Sequence, residues 1–424
     1  MFIQGSENWC NWLESEIGAN QLSHLYGSSS MQISRYMSAF EGFRRSFGYE
    51  TGAFFSAPGR TELSGNHTDH QHGCVLAGAV MMDMLAVVHP RKDQTIRLVS
   101  EGFPSTELDI TETLPLAAEK NTTAALARGV AAGLFERGYK AGGFDAYVAS
   151  DIPRGSGLSS SAAIEILLGT IQNVLYNEDS VDAVTLAKIG QYAENRFFGK
   201  PSGLLDQTII ALGGVSFIDF SGEELSFERL DVDFESMGFE ICVVNSGGSH
   251  DGLTEEYAAI PGEMKSVAEF FGKTVLGEVD ETEFYAEIST LRGKVSDRAI
   301  LRALHFYTEN ARVPAMLAAL KNRDIETYRR LMLESGRSSY EYLQNIYPSG
   351  DIAERSVSLA LCLSERILSD RGAWRVQGGG FAGTIQAIVP LDLLEAYASQ
   401  MQAVFGENSV YKLRIRPFGG YHFK

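Results

Sequence analysis

The sequence predicts an α+β protein with more than one lobe, and three observations carry that expectation. Some segments place an apolar residue at every second position, the period of a strand: Phe144, Ala146 and Val148 alternate with Asp145 and Tyr147. Others are helical, among them the mostly apolar stretch from Ala162 to Tyr176, about four turns long. The 424 residues, 44% of them hydrophobic, exceed one typical domain and can bury a sizeable core.

Taken in order, residues 1–50 read as amphipathic helices, with Trp9, Trp12, Leu13 and Ile17 on one side and a second helix over Tyr36 to Phe47. Val75 to Pro90 and Thr95 to Val99 read as strands, and Thr122 to Gly138 as a helix covering the sheet. Leu186 to Asn195 is helical and Val215 to Phe220 is a strand. The acidic stretch Ser221 to Met237 reads as irregular and marks a junction between lobes 1–230 and 231–424. Beyond it, Phe239 to Asn245 is an apolar strand and residues 283–345 are mostly helical. A strand (Thr384 to Val389), a helix (Leu391 to Phe405) and a strand (Val410 to Ile415) complete the chain.

Composition narrows the partners. A net charge of −18 argues against nucleic acid or an anionic membrane surface, while leaving room for a nucleotide that needs only local positive potential. The four cysteines stand apart without a C-x-x-C pair, which predicts reduced thiols. With no basic-then-apolar leader and no run of 18 apolar residues, the expected location is cytoplasmic.

Chemistry concentrates between Asp151 and Gly169. A strand precedes this stretch and a helix follows it. Between them lie Gly155, Ser156, Gly157, Leu158, Ser159, Ser160 and Ser161. Glycines let backbone approach a ligand, the free N–H groups of a helix's first turn attract anions, and serine hydroxyls suit phosphate oxygens or Mg²⁺. No Gly-Lys-Ser/Thr follows, which excludes a Walker loop, and Ser160 stands where a dinucleotide fingerprint needs its third glycine.

The string from Pro153 to Ala162 resembles the second motif of the GHMP small-molecule kinases, galactokinases in particular. Three further stretches extend the resemblance. Ser56 to Gly73 is similar to the galactokinase signature Gly-Arg-Val-Asn-Leu-Ile-Gly-Glu-His-Thr-Asp. Gly59, Arg60, Leu63, Gly65, His67, Thr68 and Asp69 match it, whereas Thr61, Glu62, Ser64 and Asn66 depart. Ala193-Glu194-Asn195 followed by Gly203-Leu-Leu-Asp206-Gln207 resembles the family's acidic pair, and Arg375 to Gly383 its third, glycine-rich motif. The strand ending at Asn245 leads, as in galactokinases, to a Ser-x-x-x-His segment (Ser246 to His250) and then Tyr257. The Asn and two arginines that usually follow that tyrosine are replaced by Ala258-Ala-Ile-Pro261.

The resemblance implies two α+β lobes, an N-terminal one of the ribosomal-protein-S5-domain-2 type and a ferredoxin-like C-terminal one. It implies ATP-dependent phosphorylation of the C1 hydroxyl of galactose, with ATP and Mg²⁺ in the cleft. Asp206 is then the catalytic base and Arg60 its partner. Asn66, His67, Thr68, Asp69 and Tyr257 bind sugar. Ser100, the 155–161 loop, Gly379 and Gly380 bind ATP, and Ser161 and Glu194 hold the metal. A monomer or weak homo-oligomer is expected. Two alternatives stand beside this reading. Asn66 replaces a glutamate that reads the sugar's C6 hydroxyl, so a C6-modified relative such as galacturonate is one. A non-catalytic galactose-responsive sensor is the other. The three histidines His67, His70 and His72 raise a metal site, with His67 and His70 able to share a helical face but no third ligand evident beside that pair.

Overall fold

Two long strands carry apolar residues on both faces, and both faces are covered. The computed structural model describes residues 3–153, 155–248, 253–350, 353–381 and 383–423. The first sheet contains β1 (Ile3–Gln4), β2 (Thr51–Ser64), β3 (Cys74–Pro90), β4 (Thr95–Ser100), β5 (Thr106–Asp109), β6 (Phe144–Ser150), β7 (Val215–Asp219) and β8 (Ser226–Leu230). Its order is β1-β2-β3-β6-β4-β5, with β7 and then β8 continuing from β3. Among the described residues of this sheet, only β4 and β6 run parallel. Phe54, Leu85 and Val87 point to an outer core under helices α1 (Ser6–Glu14), α2 (Glu16–Tyr26) and α3 (Ser30–Phe47). Their neighbours Ala53, Phe55, Ala86 and Val88 point to the main core beneath α4 (Thr123–Glu136), α5 (Ser160–Tyr176), α6 (Ala183–Tyr192) and α7 (Leu205–Leu212). Strand periodicity divides one sequence between two layers.

The register of β2 on β3 jumps between Pro58, opposite Asp83, and Gly59, opposite Val80, leaving Met81 and Met82 as a bulge. A proline has no N–H for the ladder, which makes this a natural place to break it. Beyond the bulge, Arg60 donates its backbone N–H to Leu158 O at 3.0 Å, so the far half of β2 runs against the Gly/Ser loop.

The second sheet, β9 (Phe239–Asn245), β10 (Ala373–Val376), β11 (Thr384–Pro390) and β12 (Val410–Leu413), is antiparallel in the order β10-β11-β9-β12. Cys242 and Val244 of β9 pack with the helices Ser356–Leu368 and Leu394–Phe405. Ile241 and Val243 face Met316 and Leu320 and join the main core of the first sheet.

Two expectations need correction. Ser221 to Met237 is not wholly irregular, because Ser226–Leu230 forms the edge strand β8 on β7. Its mostly exposed, charge-rich residues hide the strand period. The boundary at residue 230 omits the tail, whose strand β13 (Tyr421–His422) pairs with Ser56 and Phe55 of β2 while Phe423 enters the outer core. The main core, too, runs across that boundary. Among the described residues no helix is long and apolar enough to cross a membrane.

Candidate active site

The loop after β6 is shaped by positive φ angles at Gly155 (68°), Gly157 (67°) and Ser159 (59°). A Cβ at Gly157 would lie 2.3 Å from Thr384 Oγ1, so only glycine lets the loop reach the second sheet. Ser159 caps α5, Ser160 is exposed at its first turn, and Leu158 is buried beneath. Ser156 Oγ is buried with no hydrogen-bond partner among the described residues, an unfilled position in a loop whose amides suit an anion. Ser100, at the end of β4, sits opposite Val148 of β6, beside the start of the loop. Arg154 lies outside the described residues.

Arg60 and Asp206, 146 positions apart, form a two-pronged ion pair at this loop. Nε meets Oδ1 at 2.6 Å and Nη2 meets Oδ2 at 2.8 Å. Ser159 also donates its hydroxyl to Asp206 Oδ2, and Arg60 Nη1 donates to Gly157 O. Burial works to raise the Asp206 carboxyl, but Arg60 and the Ser159 hydroxyl outweigh it and hold it below the usual range. Asp206 stands in the first turn of α7, where the helix dipole also favours a negative charge. Its side chain keeps 30% exposure and thus a path to a ligand.

Glu194 opens a π-helical turn, Ala193–Phe198, that continues α6 and aims its carboxylate inward. Oε1 accepts from Ser161 Oγ at 3.1 Å and from Lys200 Nζ at 3.0 Å. Oε2 accepts from Gln207 Nε2 at 2.9 Å, and the same nitrogen donates to Glu165 Oε2 at 3.0 Å. Burial, then the Glu194 charge, push the Glu165 carboxyl well above the usual range, against the hydrogen bond from Gln207. The 3.1 Å between Ser161 Oγ and Glu194 Oε1 fits adjacent oxygens of an octahedral Mg²⁺, which stand about 3 Å apart at ordinary bond lengths.

The sugar motif is divided. Asp69 packs on Gly203, where a Cβ would lie 1.7 Å from Oδ2, and burial, with the Asp206 charge beside it, pushes its carboxyl up against the pull of His67. His67 Nδ1 lies 3.2 Å from His70 Nε2, and its Nε2 lies 3.3 Å from Gly379 O. The pair does not share a helical face, since only residues 69–71 form a short 3₁₀ turn, and burial keeps both rings neutral, His70 pushed down to about 4. Tyr257 donates to Gly380 O at 3.0 Å and stands edge-on to Phe381, bracing the third glycine loop. Gly378 of that loop lies near Arg60 and Gly157, so the four motifs converge.

Two expected sugar contacts are corrected. Asn66 is fully buried: its amide nitrogen donates to Glu62 Oε1 at 3.1 Å and Gly378 O at 2.8 Å, and Oδ1 accepts from Asn345 Nδ2 at 2.9 Å. Thr68 Oγ1 bonds the carbonyls of Gly65 and Cys74, and the side chain is buried. Short polar residues at a glycine turn serve the turn as readily as a ligand. His250 and Ala382 lie outside the described residues.

Sequence reasoning missed Lys200 and the buried set Glu62, Arg375, Glu309 and His305. Arg375 Nη2 binds Glu62 Oε1 at 2.9 Å, and Glu309 Oε1 accepts the backbone N–H of Gly65 at 3.1 Å. Lys200 had a local signal, one of two cations, with Arg196, between two acids expected to be functional. The Glu62–Arg375 partnership spans 313 positions and has none.

Residues 125–214 match the GHMP kinases N terminal domain, and residues 41–90 match the galactokinase galactose-binding signature. Among solved structures, the fold is similar to Lactococcus lactis galactokinase complexed with galactose (24% identity, 91% of this chain and 99% of that chain, TM-score 0.78). It is also similar to a D-glycero-D-manno-heptose 1-phosphate kinase from Bacteroides thetaiotaomicron (13%, 88% and 99%, 0.59). A third likeness is to Methanococcus jannaschii mevalonate kinase (14%, 85% and 98%, 0.57). The fold and the matched domain define a small-molecule kinase. Residues 125–214 carry the GHMP kinase N-terminal domain, and the α3–β2–β3 region carries the galactokinase sugar signature.

Proposed function

We propose that the chain transfers the γ-phosphoryl group of ATP to the C1 hydroxyl of galactose, giving galactose 1-phosphate and ADP. The observation that carries the reading is the Arg60–Asp206–Ser159 constellation, an ionised carboxylate held where the phosphate loop meets the galactose signature. Phosphoryl transfer needs positioning and charge neutralisation more than covalent chemistry. The amides of the 155–161 loop and the Ser156 hydroxyl hold the triphosphate, while Ser100 lies to the adenine side and the 378–380 loop closes over it. Asp69, His67 and Tyr257 border the sugar. Asp206 accepts a hydrogen bond from the C1 hydroxyl and takes its proton as the new O–P bond forms. A carboxylate with a depressed pKa is a weak base, so it orients the nucleophile first and receives the proton late, as a loose transition state allows. Arg60 balances the carboxylate and adds positive charge beside the group in transit. Ser161 and Glu194 would hold Mg²⁺, which neutralises phosphate charge when bound.

The galacturonate alternative rested on Asn66 facing C6. Its amide is engaged inside the protein, so that residue no longer favours a C6 carboxylate. The test is ADP release across a panel of aldoses and galacturonate, with the product's phosphate located by NMR. Galactose should be turned over with phosphate on C1; no ADP release with any aldose would sink the proposal.

A further inference from the structure

Lys200 has no part in the reaction above, yet its ammonium lies on the carboxylate that would hold the metal. Glu194 Oε1 accepts from Lys200 Nζ at 3.0 Å and from Ser161 Oγ at 3.1 Å, while Gln207 holds Oε2 at 2.9 Å. The Glu194 side chain is 2% exposed and that of Lys200 54% exposed, so a fixed anion meets a cation on a stem that reaches solvent. Asp206 and Glu165 add to the field around the ammonium. The neighbouring cation, Arg60, is bound through two nitrogens to Asp206 and does not reach this oxygen in its place. A magnesium ion seated between Ser161 Oγ and Glu194 Oε1 would share an oxygen with the lysine, and two cations on one oxygen repel.

We propose that Lys200 is a positioning residue that stands in for Mg²⁺ on Glu194 while the site is free of nucleotide, and is released toward solvent when metal and nucleotide arrive. The inference rests on the kinase reading of the site. In the free state the ammonium neutralises a buried carboxylate and keeps it turned toward Ser161, so the two ligand oxygens are already adjacent. In the loaded state the metal supplies that charge. The same tethered cation eases metal-free binding of a nucleoside triphosphate, because it screens Glu194 from the incoming phosphates.

Equilibrium binding of a non-hydrolysable ATP analogue, measured by calorimetry with and without Mg²⁺, tests this in wild type, Lys200→Met and Lys200→Arg. The ratio of the two dissociation constants is the coupling between metal and nucleotide. Lys200→Met removes the stand-in, so the metal-free analogue meets an unscreened carboxylate and the metal meets no competitor. The ratio should rise about tenfold, within the usual range of such couplings, and Lys200→Arg should stay near wild type. A lysine that served folding alone would lower Tm in the Met variant and leave the ratio unmoved. Equal ratios with nucleotide binding intact would overturn the role of Lys200 and leave the kinase reading standing. A wild-type protein that does not bind the analogue would overturn both.

Discussion

Two polar networks meet at Gly378, which accepts from Asn66 and lies near Arg60, and they are built on opposite principles. Around Asp206 and Glu194 the network is open. Asp206 is 30% exposed, Ser156 Oγ has no partner among the described residues, and the cation on Glu194 sits on a half-exposed stem. Around Asn66 it is closed, with Asn66, Glu309 and Arg375 each at 0% exposure and the Asn66 amide and carbonyl both engaged. Both contain carboxylates, guanidinium groups and amides, so composition does not separate them. Completeness does. What is complete is the pairing at Asn66 and its isolation from solvent: Arg375 Nε, Asn345 Oδ1, Gln377 Oε1 and Gln386 Oε1 are buried without a partner among the described residues, but none is exposed. A network whose charges and hydroxyls reach solvent can take up a ligand. A sealed one fixes how the β2 end, the helix Asp297–Lys321 and the 378–380 loop sit against one another.

The sharpest way to break the open network is Asp206→Asn, which keeps the shape and removes the charge. Turnover should fall by roughly 10²–10⁴, the usual general-base contribution, with far smaller changes in sugar and ATP affinity. Near-normal turnover in the folded variant would remove Asp206 from the mechanism. The matching break in the closed network is Arg375→Met. It leaves Glu62 without its arginine and weakens the field around Glu309, 3.8 Å away. Uncompensated buried charge of this kind costs about 3–5 kcal/mol, to be read from urea unfolding. A loss under about 1 kcal/mol would show that the network tolerates an uncompensated buried charge, and the contrast would fail.

The open network was legible in the sequence because its parts come in short strings: the loop from Gly155 to Ser161, the Glu194 and Asp206 segment, and Arg60. Each string forms one local element, and the resemblance supplied how they meet. The closed network was not. Thr61, Glu62 and Asn66 read as three separate departures from the galactokinase signature. In the structure they face one partner surface: Thr61 Oγ1 accepts from Gln377 and Gln386, Glu62 from Arg375, and Asn66 Oδ1 from Asn345. Partners hundreds of positions apart leave no spacing to read, and an exposed edge strand such as β8 leaves no alternation of apolar residues.

Within the open network, Glu194→Gln sharpens the division between metal and base. The Mg²⁺ concentration for half-maximal activity should rise roughly 10- to 100-fold, at least what loss of a supporting residue costs a metal site, and Ser161→Ala should raise it less because no charge is lost. Unchanged magnesium titrations in both variants would mean that these oxygens are not ligands.

The smallest effect expected concerns Glu165, the acid beside Glu194 whose carboxyl burial pushes up, and it tests whether openness extends beneath the Glu194 site. Glu165 Oε1 and Gln207 Oε1 are both buried without a partner among the described residues. Protonation makes a carboxyl oxygen a donor, which is what an unpartnered amide oxygen lacks. A carboxyl whose folded pKa is raised keeps its proton at pH values where the unfolded chain, near 4.5, has lost it. Its contribution to stability is therefore fully present below about pH 4.5 and is lost as pH rises toward the folded pKa, at about 1.4 kcal/mol per pH unit inside that window. Glu165→Gln retains the neutral shape and has no proton to lose. Titrations elsewhere are common to both proteins and cancel in the difference. Urea unfolding of wild type and Glu165→Gln at pH 5.5 and pH 8 should then show the variant gaining relative stability at the higher pH. Parallel behaviour at the two pH values would mean that Glu165 is ionised in the fold, with two adjacent anions, rather than one, for Lys200 to balance.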